Sequence, residues 1–146
     1  WSPFLDHHLK HPEMSPILII VPGLTGDIHA KYCRRMMIAA YRNGWQAVIF
    51  NPRGRGGIKF KTPQAYSVGY TEDLRQTIQY IHEKYPKRML FGVGYSLGAN
   101  YLAKYMGEEG SRSVLQGAVC CASPTDLMVC NAALKKQPFM DKALAW

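Results

Sequence analysis

No histidine follows position 82 in this chain of 146 residues; the five are His7, His8, His11, His29 and His82. Cysteine is sparse as well, with Cys33, Cys120, Cys121 and Cys130 the full set. None of them has C-x-x-C spacing or a histidine at a ligand interval, which excludes a disulfide framework and a zinc site built on them. Cys120 and Cys121 close an apolar run and are expected to be buried, reduced thiols. No stretch of roughly 18 apolar residues occurs and there is no signal peptide, so no helix of this chain is expected to span a bilayer. Only 19% of residues are charged, yet the net charge is +8. The basic residues are scattered (Arg34, Arg35, Arg53, Arg55, Lys59, Lys61, Lys135, Lys136) without an aromatic-interleaved stripe, and this excludes nucleic acid as a partner. A basic face remains compatible with anionic lipid or an acidic substrate. An initiator methionine is lacking and the chain stops on Trp146, so a piece of a longer protein is expected.

What is present is core-forming. Hydrophobic residues make up 47% of the chain, enough for one small globular domain. Residues 1–15 are polar and read as an irregular lead-in. Their three histidines, His7, His8 and His11, lack the helical pairing and third ligand that a metal site needs. Residues 16–146 read as a single domain. Ile17 to Val21 is an unbroken apolar run, almost wholly β-branched, as in a strand buried on both faces. A helix is expected from about His29 to Asn43, closed by Gly44, and a strand over Gln46 to Phe50. Thr71 reads as an N-cap, with Glu72 and Asp73 in the first turn and Leu74, Ile78 and Ile81 along one face. Tyr85-Pro86 ends that helix. A strand over Leu90 to Val93, a helix to about Gly107, a strand over Val114 to Ala122 and a helix from Leu127 to about Leu134 complete the chain. Strand and helix alternate throughout, and that order implies a parallel sheet with helices on both faces. Ligands of such sheets bind beyond the carboxyl ends of the strands.

Three of those ends carry notable loops. Gly94-Tyr95-Ser96-Leu97-Gly98 matches G-x-S-x-G between an apolar strand and a helix start, the setting of a nucleophile elbow; the plain alternative is a glycine-rich turn with an incidental serine. In an elbow the flanking glycines Gly94 and Gly98 let neighbouring backbone pass close by. The N–H of Leu97 then serves as one oxyanion donor. Pro22-Gly23-Leu24-Thr25-Gly26 follows the first strand, and Gly23 would let the Leu24 N–H turn toward the serine as a second donor, although taken alone this is equally a plain strand-to-helix turn. Pro52-Arg53-Gly54-Arg55-Gly56-Gly57 fits no phosphate-binding pattern and reads as a long turn. A serine nucleophile needs an adjacent base. No histidine follows Ser96; His29 lies near the first loop but in the wrong chain order, and His82 reads as a surface residue. Asp126 reads as a helix N-cap.

These motifs together with Phe50-Asn51-Pro52-Arg53-Gly54, Thr71-Glu72-Asp73-Leu74 and Tyr105-Met106-Gly107-Glu108-Glu109-Gly110 resemble one branch of the α/β-hydrolases. It is the branch of plant embryogenesis-associated hydrolases, bacterial YheT-like esterases, animal α/β-hydrolase-domain membrane lipases and yeast medium-chain ethanol acyltransferases. The likeness runs from about Ile17 to Leu127. It implies an α/β-hydrolase fold truncated before its last strands, the chain being the N-terminal portion of the domain. It also implies a serine esterase or lipase that acts on lipid or medium-chain acyl esters through an acyl-enzyme on Ser96, without cofactor or metal. By the same likeness the triad acid and histidine lie outside this chain, and the piece alone is expected to be inactive. Acyl transfer to an alcohol, or ligand binding without turnover, stay open beside hydrolysis. The expected partner is a small-molecule or lipid ester. An intracellular setting, with membrane association through segments not in this chain, is in keeping with the family.

Overall fold

The computed structural model describes residues 13–57, 59–64, 67 and 69–136; the histidines at positions 7, 8 and 11 lie outside them. Four strands, β1 (Ile17–Val21), β2 (Gln46–Ile49), β3 (Leu90–Tyr95) and β4 (Leu115–Cys121), form one parallel sheet in the order β2-β1-β3-β4. Four helices alternate with them: α1 (Lys31–Arg42), α2 (Glu72–Lys84), α3 (Leu97–Glu109) and α4 (Leu127–Lys135). A 3₁₀ turn over Gly110–Arg112 links α3 to β4.

The β-branched run of β1 is central and pairs with a neighbour on each side. Its alternate side chains feed two separate cores. Ile17, Ile19 and Val21 pack with Leu74, Ile78 and Ile81 of α2 and with Tyr101, Leu102 and Tyr105 of α3. Ile20 packs on the opposite face with Cys33 of α1 and Val93 of β3, flanked by Met36 and Met37. This is the two-faced parallel sheet expected from the alternation of elements, because a strand buried on both faces must be apolar at every position. The three α2 residues expected on one face are all buried. Helix α1 ends where Asn43 donates its N–H to Ala39 and Ala40, with Gly44 at φ 76° turning the chain back toward β2.

Three local expectations fail, each for a physical reason. Cys120 is exposed and Cys121 half-buried, because β4 is an outer strand of the sheet among the described residues and one of its long edges has no neighbour to cover it. Thr71 stands at the N-cap position of α2 but makes no capping bond. Its backbone is already helical (φ −85°, ψ −4°) and its hydroxyl donates to Glu108 at the end of α3. His82 is half-buried rather than a surface residue, with Nδ1 enclosed and without a hydrogen-bond partner. Asp126 does cap α4, accepting the N–H groups of Met128 and Val129 at 2.9 Å each.

Candidate functional site

Ser96 stands between β3 and α3 with φ 51° and ψ −119°, a left-handed conformation that non-glycine residues adopt only when their surroundings impose it. The imposing contacts are visible. Its N–H donates to the Cys121 carbonyl at 2.9 Å, and its own carbonyl accepts from Ala99 and Asn100 to start the helix. The residue is exposed.

The flanking glycines have separate reasons to be glycine. A Cβ on Gly94 would lie 2.6 Å from Ala99 Cα and from the Gly98 carbonyl oxygen, so the first turn of α3 rests directly on the end of β3. A Cβ on Gly98 would lie 2.2 Å from the Pro22 carbonyl oxygen and 2.4 Å from that of Val21, so the same turn also presses on the end of β1. Leu97 is the first residue of α3, where an N–H has no acceptor within the helix and is free for a ligand. The helix N-terminus adds a partial positive charge at the same place.

The loop after β1 stands against this turn. A Cβ on Gly23 would lie 3.3 Å from Ser96 Cβ and 3.1 Å from the Tyr95 carbonyl oxygen. The loop closes on itself through the Gly26 N–H to the Gly23 carbonyl at 2.9 Å, with Thr25 at φ 62°. Leu24, between them, is 44% exposed. The structure therefore brings Gly23, Ser96 and Gly98 together and puts Leu24 and Leu97 next to that junction in the chain.

The third loop braces the segment that follows β1. Asn51 Oδ1 accepts the Ile28 N–H at 3.0 Å, and Asp27 Oδ2 accepts the Gly56 N–H at 3.3 Å. The Arg53 guanidinium grips Asp73 through two bonds of 2.5 and 2.6 Å, and this holds its pKa up. That is a structural use of the arginine, in keeping with a long turn rather than a phosphate cradle. His29 is exposed and donates its backbone N–H to Asp27 Oδ1 at 2.7 Å.

Sequence reading missed one participant, Tyr32. Its hydroxyl oxygen accepts the Gly23 N–H at 2.8 Å. Its ring stands edge-on to Tyr95, the residue before the serine, with centroids 5.0 Å apart. Burial pushes the Tyr32 phenol up, against the opposing effect of the Gly23 N–H, so it stays protonated at neutral pH. The signal was faint: Tyr32 is in the first turn of the helix that follows the loop, at the same end of the sheet as the serine. Among the described residues no group of three His, Cys, Asp or Glu is arranged to hold a metal ion. No described helix is long and apolar enough to cross a membrane.

The chain is similar to known proteins in sequence and in fold. The embryogenesis-associated protein EMB8 of Picea glauca is 38% identical over 138 residues, 92% of this chain and 30% of its own length. Human phospholipase ABHD3 is 32% identical over 83% of this chain and 30% of its own length. The chain thus spans about a third of the curated relatives it matches. Among solved structures, a soluble variant of Saccharomyces cerevisiae monoglyceride lipase in complex with a substrate analogue superposes with a TM-score of 0.65 at 17% identity, covering 88% of this chain and 44% of that one. Est1E of Butyrivibrio proteoclasticus, bound to ferulic acid, gives 0.68 at 16% identity, over 85% of this chain and 48% of that one. The pattern described as the alpha/beta hydrolase fold matches residues 16–146, and with the parallel sheet and the strained serine turn already in place, this chain belongs to the alpha/beta hydrolase fold family.

Proposed function

We propose that this chain carries the nucleophile and oxyanion hole of a serine carboxylic ester hydrolase acting on lipid or medium-chain acyl esters. The observation that carries the reading is Ser96 itself. It is exposed, forced to positive φ at a strand-to-helix turn, and faces Gly23 of the loop after β1. Ser96 Oγ attacks the ester carbonyl while its proton passes to a base. The carbonyl oxygen becomes an oxyanion and receives the N–H groups of Leu24 and Leu97. Collapse of this intermediate expels the alcohol and leaves Ser96 acylated, and water releases the acid. Each oxyanion donor in such a site contributes about 3–4 kcal/mol to transition-state stabilisation. This chemistry runs through the serine and needs no cofactor. The base and its orienting acid belong to segments of a longer protein, in line with the absence of histidine after Ser96. Any membrane association belongs to such segments too.

Transfer of the acyl group to an alcohol is a second reading. It is favoured by a relative named medium-chain fatty acid ethyl ester synthase/esterase 2, of Saccharomyces cerevisiae, 36% identical over 115 residues. A fluorophosphonate probe tests the nucleophile in the complete protein: wild type should be labelled and Ser96→Ala should not. Equal labelling of both removes the assignment. Product analysis with added ethanol separates the two readings, ethyl ester marking transfer and free acid marking hydrolysis.

A further inference from the structure

We infer that Tyr32 is the positioning residue that sets the oxyanion hole, joining the loop after β1 to the serine turn; this rests on the nucleophile reading of Ser96. Three contacts converge on one side chain. The hydroxyl oxygen accepts the Gly23 N–H at 2.8 Å. It also covers Gly26, where a Cβ would lie 2.5 Å from it, so both glycines of the loop are folded around the phenol. The ring edge meets Tyr95, which leads directly into Ser96.

The consequence concerns Leu24. Gly23 has one N–H, and Tyr32 occupies it. The peptide plane between Pro22 and Gly23 is thereby fixed, and with it the entry of the turn that carries the next N–H, that of Leu24. The Gly26 N–H to Gly23 carbonyl bond fixes the far side of the same turn. The second donor, Leu97, is set by the serine turn that Tyr95 enters. Tyr32 therefore touches the supports of both donors without being a donor itself. A hole for an oxyanion needs its two N–H groups at a fixed separation, because the charge appears only in the transition state and reorganisation at that moment costs rate.

The inference separates from a merely structural role. Tyr32 is 38% exposed, so Tyr32→Phe keeps the ring against Tyr95 and removes only the hydroxyl, with its bonds to the Gly23 N–H and the Cys33 thiol. In the complete protein, Tyr32→Phe should lower kcat roughly ten-fold with KM little changed, since the loosened donor acts on the transition state. A boronic acid inhibitor that mimics the tetrahedral state should weaken by the same factor, and the melting temperature should stay within a degree or two. Tyr32→Leu, which also removes the ring contact, should lose more. Tyr80→Phe, on the exposed face of α2, should change none of these. Wild-type kcat and boronate affinity in Tyr32→Phe would overturn the inference, as would a loss that appears only as lower thermal stability. Failure of the underlying reading shows elsewhere: Ser96→Ala would then retain turnover, whatever Tyr32→Phe does.

Discussion

Gly98 and Gly107 lie on the same helix, and replacing each with alanine should change stability in opposite directions. Intrinsic propensity alone favours alanine over glycine within a helix by about 0.8–1 kcal/mol. At Gly107 nothing lies within 4 Å of an added Cβ, so Gly107→Ala should gain close to that amount. At Gly98 the Cβ would lie 2.2 Å from the Pro22 carbonyl oxygen and 2.4 Å from that of Val21, over about 1 Å inside the ordinary separation of heavy atoms. Neither obstacle is the end of a flexible side chain. Both are backbone at the end of β1, which pairs on each side and cannot yield without disturbing the sheet. Overpacking of this kind typically costs 1–3 kcal/mol, and a backbone obstacle places Gly98→Ala toward the upper end. After the propensity gain is subtracted, a net loss of about 2 kcal/mol remains. In a domain of this class that lowers the melting temperature by roughly 4–8 °C. Thermal unfolding of the two variants beside wild type is the assay, with urea unfolding to check that the slope is unchanged. If Gly98→Ala proved as stable as Gly107→Ala, the close approach of α3 to β1 would be wrong, and the stated reason for glycine at the end of the serine motif would go with it.

Other outcomes follow from the same geometry. Gly23→Val should lower turnover of the complete protein at least ten-fold, about 1.4 kcal/mol in barrier, with little change in melting temperature, because its Cβ meets Ser96 and Tyr95 at 3.1–3.3 Å, a tight but yielding fit; an active variant would remove the loop from the oxyanion hole. Lys104, Thr71 and Arg75 hold the Glu108 carboxyl down at about 2, so its stabilising effect is present above the unfolded value of about 4.3 and is lost as pH falls through 2. The acid decline of the melting temperature between pH 5 and 2 should therefore be shallower in Glu108→Gln, and an identical decline would mean the cluster is already screened by solvent. Asp126→Ala strips two N–H groups at the start of α4 and should cost about 1 kcal/mol, read as faster amide exchange at Met128 and Val129. Residues 1–146 alone should not turn over p-nitrophenyl esters, since no histidine follows Ser96 to serve as its base; turnover that His29→Ala abolished would make His29 the base.

What could be read from the residues was whatever depends on local pattern. The range Ile17 to Val21 coincides with β1 because a run apolar at every position has no other stable place than between two helical layers. Leu74, Ile78 and Ile81 could be assigned to the buried face of α2 because a 3.6-residue period leaves one choice. The end of β3 was read two residues short, at Val93 rather than Tyr95, since glycine and tyrosine next to a turn motif look like loop. What escaped depends on contacts between distant segments. Thr71 has the composition of a cap, yet Glu108, 37 residues on, takes its hydroxyl. Cys120 is apolar by neighbourhood, yet its exposure is decided by which strand lies at the edge. Tyr32 gives no sign in the sequence that its hydroxyl will reach back nine residues to Gly23.

The place of the serine is itself a consequence of strand order and register. The chain steps from β1 outward to β2, returns across β1 to β3, and goes on to β4. Helix α1 packs on one face of the sheet, while α2 and α3 pack on the other. The connections leaving β1 and β3 thus diverge to opposite faces, and the two strands are neighbours, so a crevice opens between their carboxyl ends. Register then decides what faces across it. Val21 pairs with Gly94, and two residues further on this alignment sets Gly23 beside Ser96. A slip of one residue would oppose Pro22 or Leu24 to the serine, and either would put a Cβ into the tight space, 3.1–3.3 Å from Tyr95 and Ser96, that Gly23 leaves open. Gly98 guards the same alignment from the helix side, since its contact is with the carbonyls of Val21 and Pro22. The pairing of β1 with β3, more than the five-residue motif, is what turns a serine on a sharp turn into one that faces the loop after β1.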